Sequence, residues 1–375
     1  MKVLVVDDSA LMRRQLTEIL ENAGITVQTA RDGAEALTAV AAFQPDVVTL
    51  DVTMPEMDGL ACLKRIMVES PRPVVMVSAL TEAGAETTME ALRLGAVDVV
   101  HKPGGIGGAG LRRIADDLVR IVRGAAGAKL RRSRGLRERL QYTRTQIVGS
   151  DPVAAVPKPA ATPEPEPAPE PAKPLADGPG LVLIGVSTGG PSTLEEIVPQ
   201  LPADFAWPVV IAQHMPPTFT GTLARRLNDV SALTVVEAAQ AMPVEPGHVY
   251  IARGGADVVL SRRGGALCVM PVPSDAQRPW HPNVDRLVES ALQHVEANRL
   301  VGVLLTGMGV DGAAAMAELH ARGGRTIAES EASAVVFGMP ADLIRRKGAD
   351  AVLPAEQVAT QLVRWVRPAG RGAAG

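Results

Sequence analysis

From the N-terminus, short apolar runs alternate with stretches of helical period. The runs are Val3–Val6, Ile25–Thr29, Val47–Leu50, Val74–Val77 and Val97–Val100, and amphipathic stretches such as Ala10–Ala23 and Ala34–Phe43 lie between them. Five such units in about 120 residues predict a doubly wound, five-stranded parallel sheet. The pattern then lapses. Residues 151–180 hold 10 of the chain's 30 prolines, interleaved with Ala and Glu, and show no apolar periodicity. Such a segment cannot form a core and reads as a semi-extended spacer. The alternation resumes at Leu181, where the runs 181–186, 209–213 and 301–305 each lead into a polar or Gly-rich turn and a helical pattern. A second α/β unit with a mostly parallel sheet is expected there. The division predicted is therefore a first domain over 1–123, a linker over 124–180 that is basic and then Pro/Ala/Glu-rich, a second domain over 181–366, and a disordered tail over 367–375.

In a doubly wound sheet the residues just past the strands' carboxyl ends converge on one edge. In the first domain these are Asp7 and Asp8, Asp51, Ser78, and Lys102 followed by Pro103. One acid at a strand end reads equally well as a helix N-cap. Five polar residues, each at the correct strand end, do not. Three carboxylates in one place repel, and a hard divalent cation such as Mg²⁺, which takes oxygen ligands, is their natural occupant. A mobile ammonium and a hydroxyl beside them suit a phosphoryl group carried on a carboxylate.

The second domain offers a different chemistry. Gly185, Ser187 and Gly189 form G-x-S-x-G at a strand-to-helix turn, where helix N-terminal amides could stabilise an oxyanion. Taken alone, a serine N-cap explains the motif equally well. A nucleophile needs a base, and the six histidines sort by position. His101 belongs to the first domain, His248 opens a strand after a Pro-Gly turn, and His294 and His320 lie in helical patterns. His214 ends the run 209–213 on the same sheet edge as Ser187, and His281 in a Pro-rich loop is the second candidate. The orienting carboxylate falls to Asp311, at a helix start after the run 301–305. The order Ser, His, Asp differs from that of the α/β-hydrolases.

Gly307, Gly309 and Gly312 also spell G-x-G-x-x-G, with Glu329 about 20 residues on, which is a dinucleotide fingerprint. Asp311 argues against it, because a carboxylate would share the helix N-terminus with the pyrophosphate. Too little chain also follows for the usual second half of such a fold.

Composition narrows the field further. Aromatics are 2% and the net charge is −3, which argues against a stacking surface for single-stranded nucleic acid and against a nucleic-acid binder overall. The charge is uneven, −6 over residues 1–103 and +8 over 104–150. The basic cluster Arg131, Arg132, Arg134, Arg137 and Arg139 reads as a solvated linker against an acidic domain, since no helix-turn-helix pattern accompanies it. Cys62 and Cys268 have no partners at metal or disulfide-framework spacing. The apolar run after Lys2 is cut short by Asp7 and Asp8, unlike a signal peptide, and no apolar stretch of about 18 residues occurs. A cytoplasmic protein with no nucleic-acid partner and no membrane insertion is expected.

The first domain resembles a two-component receiver, on DD at 7–8, DVTMPEMDG at 51–59, Ser78 and the Lys102-Pro103 pair. The resemblance implies Asp51 as phosphoacceptor. It also implies Mg²⁺ held by Asp7, Asp8 and Asp51 with the Thr53 carbonyl, and Ser78 and Lys102 as the switch pair. Val99 departs from the aromatic that many receivers carry three residues before the Lys. The second domain resembles the catalytic domain of the chemotaxis protein-glutamate methylesterases, on IGVSTGG at 184–190, QHMPP at 213–217, PGHVYIA at 246–252, LTGMGVDGAA at 305–314 and VVFGMP at 335–340. That implies Ser187 as nucleophile, His214 as base and then acid, and Asp311 as orienting carboxylate, with Thr188 and the backbone near Met308 as transition-state helpers. The Trp280-His281-Pro282 loop departs from relatives, which more often carry an Arg there. The implied activity is demethylation of glutamyl methyl esters and deamidation of glutamines on methyl-accepting chemoreceptors, with the chemotaxis histidine kinase as phosphodonor and the receiver as a cover. A DNA-binding regulator and a docking protein with a silent serine are the rival readings.

Overall fold

The computed structural model describes residues 1–78, 82–102, 108–130 and 179–366. The first domain runs β1 (Lys2–Val6), α1 (Ala10–Asn22), β2 (Thr26–Ala30), α2 (Gly33–Phe43), β3 (Val47–Asp51), α3 (Gly59–Glu69), β4 (Val74–Ser78), α4 (Glu82–Arg93), β5 (Asp98–His101) and α5 (Gly108–Ala126). The strand order is β2-β1-β3-β4-β5, all parallel. β3 and β4 are buried along their whole length, as expected when helices cover both faces. Short polar side chains start the helices: Ser9, Asp32 and Asp58 each accept an amide of the first turn of α1, α2 and α3. β2 and β5 each begin one residue later than the apolar run. At β2, the Ile25 amide is used by the Leu20 carbonyl at the end of α1; at β5, Val97 turns its carbonyl to the second domain.

The second domain runs β6 (Leu181–Val186), α6 (Gly190–Ile197), β7 (Val209–Gln213), α7 (Pro217–Val230), β8 (Thr234–Ala238), β9 (Met242–Pro243), β10 (His248–Ala252), β11 (Ala256–Arg263), β12 (Ala266–Pro273), α8 (Val284–His294), β13 (Leu300–Leu304), α9 (Ala313–Ala321), β14 (Arg325–Glu329), α10 (Met339–Arg345), β15 (Ala351–Leu353) and α11 (Ala355–Trp365). Seven strands form a parallel sheet in the order β15-β14-β13-β6-β7-β10-β8, and β11, β12 and β9 form a small antiparallel one. The chain winds outward from β6 through β7, then crosses back to β13 and winds the other way. The switch point, where a doubly wound sheet opens its crevice, therefore lies between β6 and β13.

The domains share a seam. α4 of the first domain packs on α6 and α7 of the second. Glu90 pairs with Arg226 at 3.4 Å, the Lys129 amide donates to Val335 O at 2.8 Å, and Val335 packs with Val122 and Ala125 of α5. The Arg131–Arg139 cluster, the Pro-rich spacer and the tail lie outside the described residues. Among the described residues no helix is long and apolar enough to cross a membrane.

Candidate active site

The carboxyl edge of the first sheet gathers the five residues singled out in the sequence. Asp7 and Asp51 are buried and Asp8 is exposed, and oxygen atoms of the three lie within 4.8 Å of one another. Lys102 Nζ sits 2.7 Å from Asp51 Oδ2 and 3.0 Å from Asp7 Oδ2. Burial pushes the Asp51 carboxyl above its ordinary value, against the pull of Lys102. Burial also disfavours the Lys102 ammonium, but hydrogen bonds to Asp51 and Asp7 more than offset it and hold its pKa above the ordinary lysine value. Ser78 is buried at the end of β4, where its carbonyl accepts the Lys102 amide at 2.9 Å. Clustered carboxylate oxygens, one open to solvent, are the donor set a hard divalent cation takes, so this cluster can hold Mg²⁺. Val99 is buried in the core, in place of an aromatic.

In the second domain, three strand ends meet at the switch point. β6 and β7 pair in register, Val186 opposite Gln213, so Ser187 and His214 leave neighbouring strands side by side. The His214 amide donates to Val186 O at 3.0 Å, and Gln213 Nε2 donates to Ser187 O at 2.9 Å. On the other flank the Ser187 amide donates to Thr306 O at 2.9 Å. A Cβ on Gly307 would stand 2.6 Å from the Ser187 Cβ, so a glycine is needed for the two turns to approach. Gly189 follows at φ +80°, a left-handed turn that starts α6 directly after the serine.

His214 and Asp311 are in contact, Nε2 to Oδ2 at 2.8 Å. An ionised carboxylate only accepts, so Nε2 carries the hydrogen and Nδ1 is the basic nitrogen. Among the described residues, buried Nδ1 has no hydrogen-bond partner. Asp311 precedes α9, yet its carboxylate serves α8. It accepts from Val284 N at 2.7 Å, Asn283 Nδ2 at 2.8 Å and Asp285 N at 3.1 Å, which are the N-cap and first turn of that helix. Asp285 of α8 in turn accepts Ala315 N of α9 at 2.9 Å, so the two helices exchange caps. This cradle was not read from the sequence. An Asn followed two residues later by an Asp, at the start of an apolar-periodic stretch, is a helix-start signature and was there to be found.

His281 lies apart from this group. Its Nδ1 is 2.7 Å from Asp257 Oδ1, whose other oxygen takes Arg286 Nη1 at 2.8 Å. Trp280 beside it stacks on His214, with ring centroids 6.2 Å apart and planes 10° from parallel. The glycines of the nucleotide-like fingerprint serve packing: Gly309 lies under Trp280, Gly312 against Val284, and Gly307 against Ser187. Glu329 is fully buried and accepts Thr306 N at 2.8 Å and Ser333 Oγ at 2.8 Å, which removes it as a ribose ligand.

The first domain reaches this site directly. Thr188 Oγ1 donates to Asp98 Oδ2 at 2.6 Å, and the Gly189 amide donates to Val97 O at 3.1 Å. Arg120 of α5 lies over the Trp280 ring, 5.9 Å from its centre.

Fold and site together define a receiver coupled to an α/β domain with a serine, a histidine and an aspartate at its switch point. Residues 3–107 match the response regulator receiver domain, and residues 182–362 match the CheB methylesterase family. The chain is 56% identical over 368 residues to protein-glutamate methylesterase/protein-glutamine glutaminase 3 of Rhodospirillum rubrum, covering 97% of this chain and 96% of that one. It is 43% identical over 367 residues to the protein-glutamate methylesterase/protein-glutamine glutaminase of Archaeoglobus fulgidus, covering 98% of each. Among solved structures, the CheB methylesterase catalytic domain of Thermotoga maritima is similar at 41% identity and a TM-score of 0.48, covering 50% of this chain and 98% of that one. The chain belongs to the protein-glutamate methylesterase/protein-glutamine glutaminase family, in its two-domain, receiver-bearing form.

Proposed function

We propose that this chain is a phosphorylation-activated serine hydrolase that demethylates glutamate methyl esters and deamidates specific glutamines on methyl-accepting chemoreceptors in the cytoplasm. The observation that carries the reading is the 2.8 Å bond from His214 Nε2 to Asp311, which leaves Nδ1 basic on the strand end next to Ser187. His214 Nδ1 takes the Ser187 proton as Oγ attacks the side-chain carbonyl. The collapsing tetrahedral adduct expels methanol, or ammonia from an amide, with the proton returned by His214. Water, deprotonated by the same nitrogen, then opens the acyl-enzyme to release glutamate and restore Ser187. Four donors converge on Asp311 and fix its carboxylate against His214, where it stabilises the transient imidazolium.

Asp51 is the phosphoacceptor in this reading, fed by the chemotaxis histidine kinase, with Ser78 and Lys102 responding to the phosphoryl group. Mg²⁺ held by Asp7, Asp8 and Asp51, with the Thr53 carbonyl, would neutralise charge developing on the phosphoryl oxygens. The functional units are 1–123 and 181–366, joined through 124–180 and followed by a tail over 367–375. The test is methanol release from methyl-labelled receptor membranes. Ser187→Ala should abolish release and leave Asp51 phosphorylation intact. Wild-type turnover by Ser187→Ala, with loss of activity in His281→Ala, would defeat the assignment.

A further inference from the structure

Three groups of the second domain, two beside Ser187 and one stacked on His214, are each engaged by the first. The Thr188 hydroxyl, one residue past the nucleophile, is given to the Asp98 carboxylate at 2.6 Å, short as bonds to a charged acceptor are. The next amide, Gly189 N–H at the start of α6, is given to the Val97 carbonyl at 3.1 Å. The ring stacked on the catalytic histidine, Trp280, is covered by Arg120. Chemically, the intruder is a peptide carbonyl followed by a side-chain carboxylate. A receptor segment after hydrolysis carries the same pair, with one more methylene before the carboxylate.

We infer that Thr188 Oγ1 and Gly189 N–H form the subsite for the glutamyl side chain and backbone of the substrate, and that the Val97–Asp98 segment closes the enzyme by occupying it as a product mimic. The inference rests on the reading of Ser187, His214 and Asp311 above. It goes further than covering, because a cover needs no particular chemistry, whereas here a carboxylate meets a donor adjacent to the nucleophile. The site's other acids do not compete for this role: Asp311 is committed to His214 and α8, and Asp257 to His281 and Arg286. Burial pushes the Asp98 carboxyl up, and the Thr188 hydroxyl and Val99 amide hold it back. The Thr188 hydroxyl that holds this segment is the donor a glutamate product would meet beside Ser187.

The experiment uses the full, unphosphorylated chain as wild type, Asp98→Ala, Asp98→Asn and Glu90→Gln. Glu90→Gln weakens the Glu90–Arg226 bridge elsewhere in the seam. Methanol release from receptor membranes is titrated with a short peptide bearing one free glutamate and with its alanine counterpart. Asp51 phosphorylation by acetyl phosphate reports that each receiver is folded. The expected result is that both Asp98 variants run about tenfold faster than wild type, the shift expected from losing one hydrogen bond to a charged group. The glutamate peptide, and not the alanine one, should raise the apparent KM of Asp98→Ala with kcat unchanged, and should affect wild type less. Glu90→Gln should be less activated than either. Asp98 variants no faster than wild type, with phosphorylation intact, overturn the inference. So does activation without glutamate-peptide competition, which would mean covering alone. Turnover surviving in Asp98→Ala combined with Ser187→Ala would instead sink the assignment of the nucleophile.

Discussion

Asp98 and Lys102 stand at opposite ends of one strand. β5 is four residues long, Asp98 to His101, so about 10 Å separates its ends. Beyond its carboxyl end Lys102 holds Asp51, and at its amino end Asp98 holds Thr188 beside Ser187. One paired strand thus joins the acidic pocket around Asp51 to the turn that carries Ser187. Val99 is buried in that strand, and α4 and α5 lie against it.

Asp51→Asn should keep the low basal esterase rate and lose stimulation by acetyl phosphate with Mg²⁺. Asparagine cannot carry the phosphoryl group, and the added charge of about −1.5 to −2 that would draw Lys102 never arrives. A chain beginning near Gly180 should be faster than the intact unphosphorylated protein, because the Val97, Asp98 and Arg120 contacts are gone. Initial rates of methanol release, with and without donor, check both. A truncated chain no faster than the full one would mean that the receiver activates or docks instead.

Asp311→Asn should lower kcat by up to about 10⁴-fold, the size seen when an orienting aspartate is neutralised, and by less than Ser187→Ala. The four donors on Asp311 all need acceptors. An amide offers one oxygen and a competing NH₂, so either the α8 amides or the His214 N–H loses its partner. A fall in Tm should accompany the rate loss, because one of these buried donors is left without an acceptor. Activity loss with unchanged Tm would mean that the α8 cradle contributes nothing to stability.

Gly307→Ala tests the close approach of the two catalytic turns. Its Cβ would stand 2.6 Å from the Ser187 Cβ and 2.4 Å from Met339 Sδ, so something must move. A displacement near 1 Å at a nucleophile costs about 10²-fold in rate, and overpacking costs about 1–3 kcal/mol. Methanol release and a thermal melt measure the two. Phosphorylation of Asp51 should be untouched, since Gly307 lies in the other domain.

The strand ends were legible because each lies within a few residues of its own apolar run. Asp7, Asp51, Ser78, Lys102, Ser187 and His214 needed only the knowledge that parallel strands point one way. Asp311 was placed by the same logic, but the reason it is held there was not. Asn283, 28 residues earlier, meets it only because α8 begins against the end of β13. The Thr188–Asp98 bond spans 90 residues and a domain boundary, and no periodicity reports such a contact. The order of the second sheet was hidden too: β10 inserts between β7 and β8, which pair with it rather than with each other.

The last expectation concerns acid stability. The Asp257 carboxylate is fully buried and pays for that in desolvation, yet His281, Arg286 and the Asn283 amide together pull its pKa below the ordinary 3.8. A folded-state pKa below the unfolded one adds stability that is complete above the unfolded value and is lost as pH falls through the folded one. Asp257→Asn should therefore be less stable than wild type by about 1–2 kcal/mol at neutral pH, a figure reduced because His281 and Arg286 are partly open to solvent. The deficit should shrink below about pH 4, as the wild-type carboxyl protonates. Thermal melts of both proteins across that range read the difference directly. A deficit that does not shrink as pH falls below about 4 would mean that Asp257 is not held as a carboxylate by His281 and Arg286.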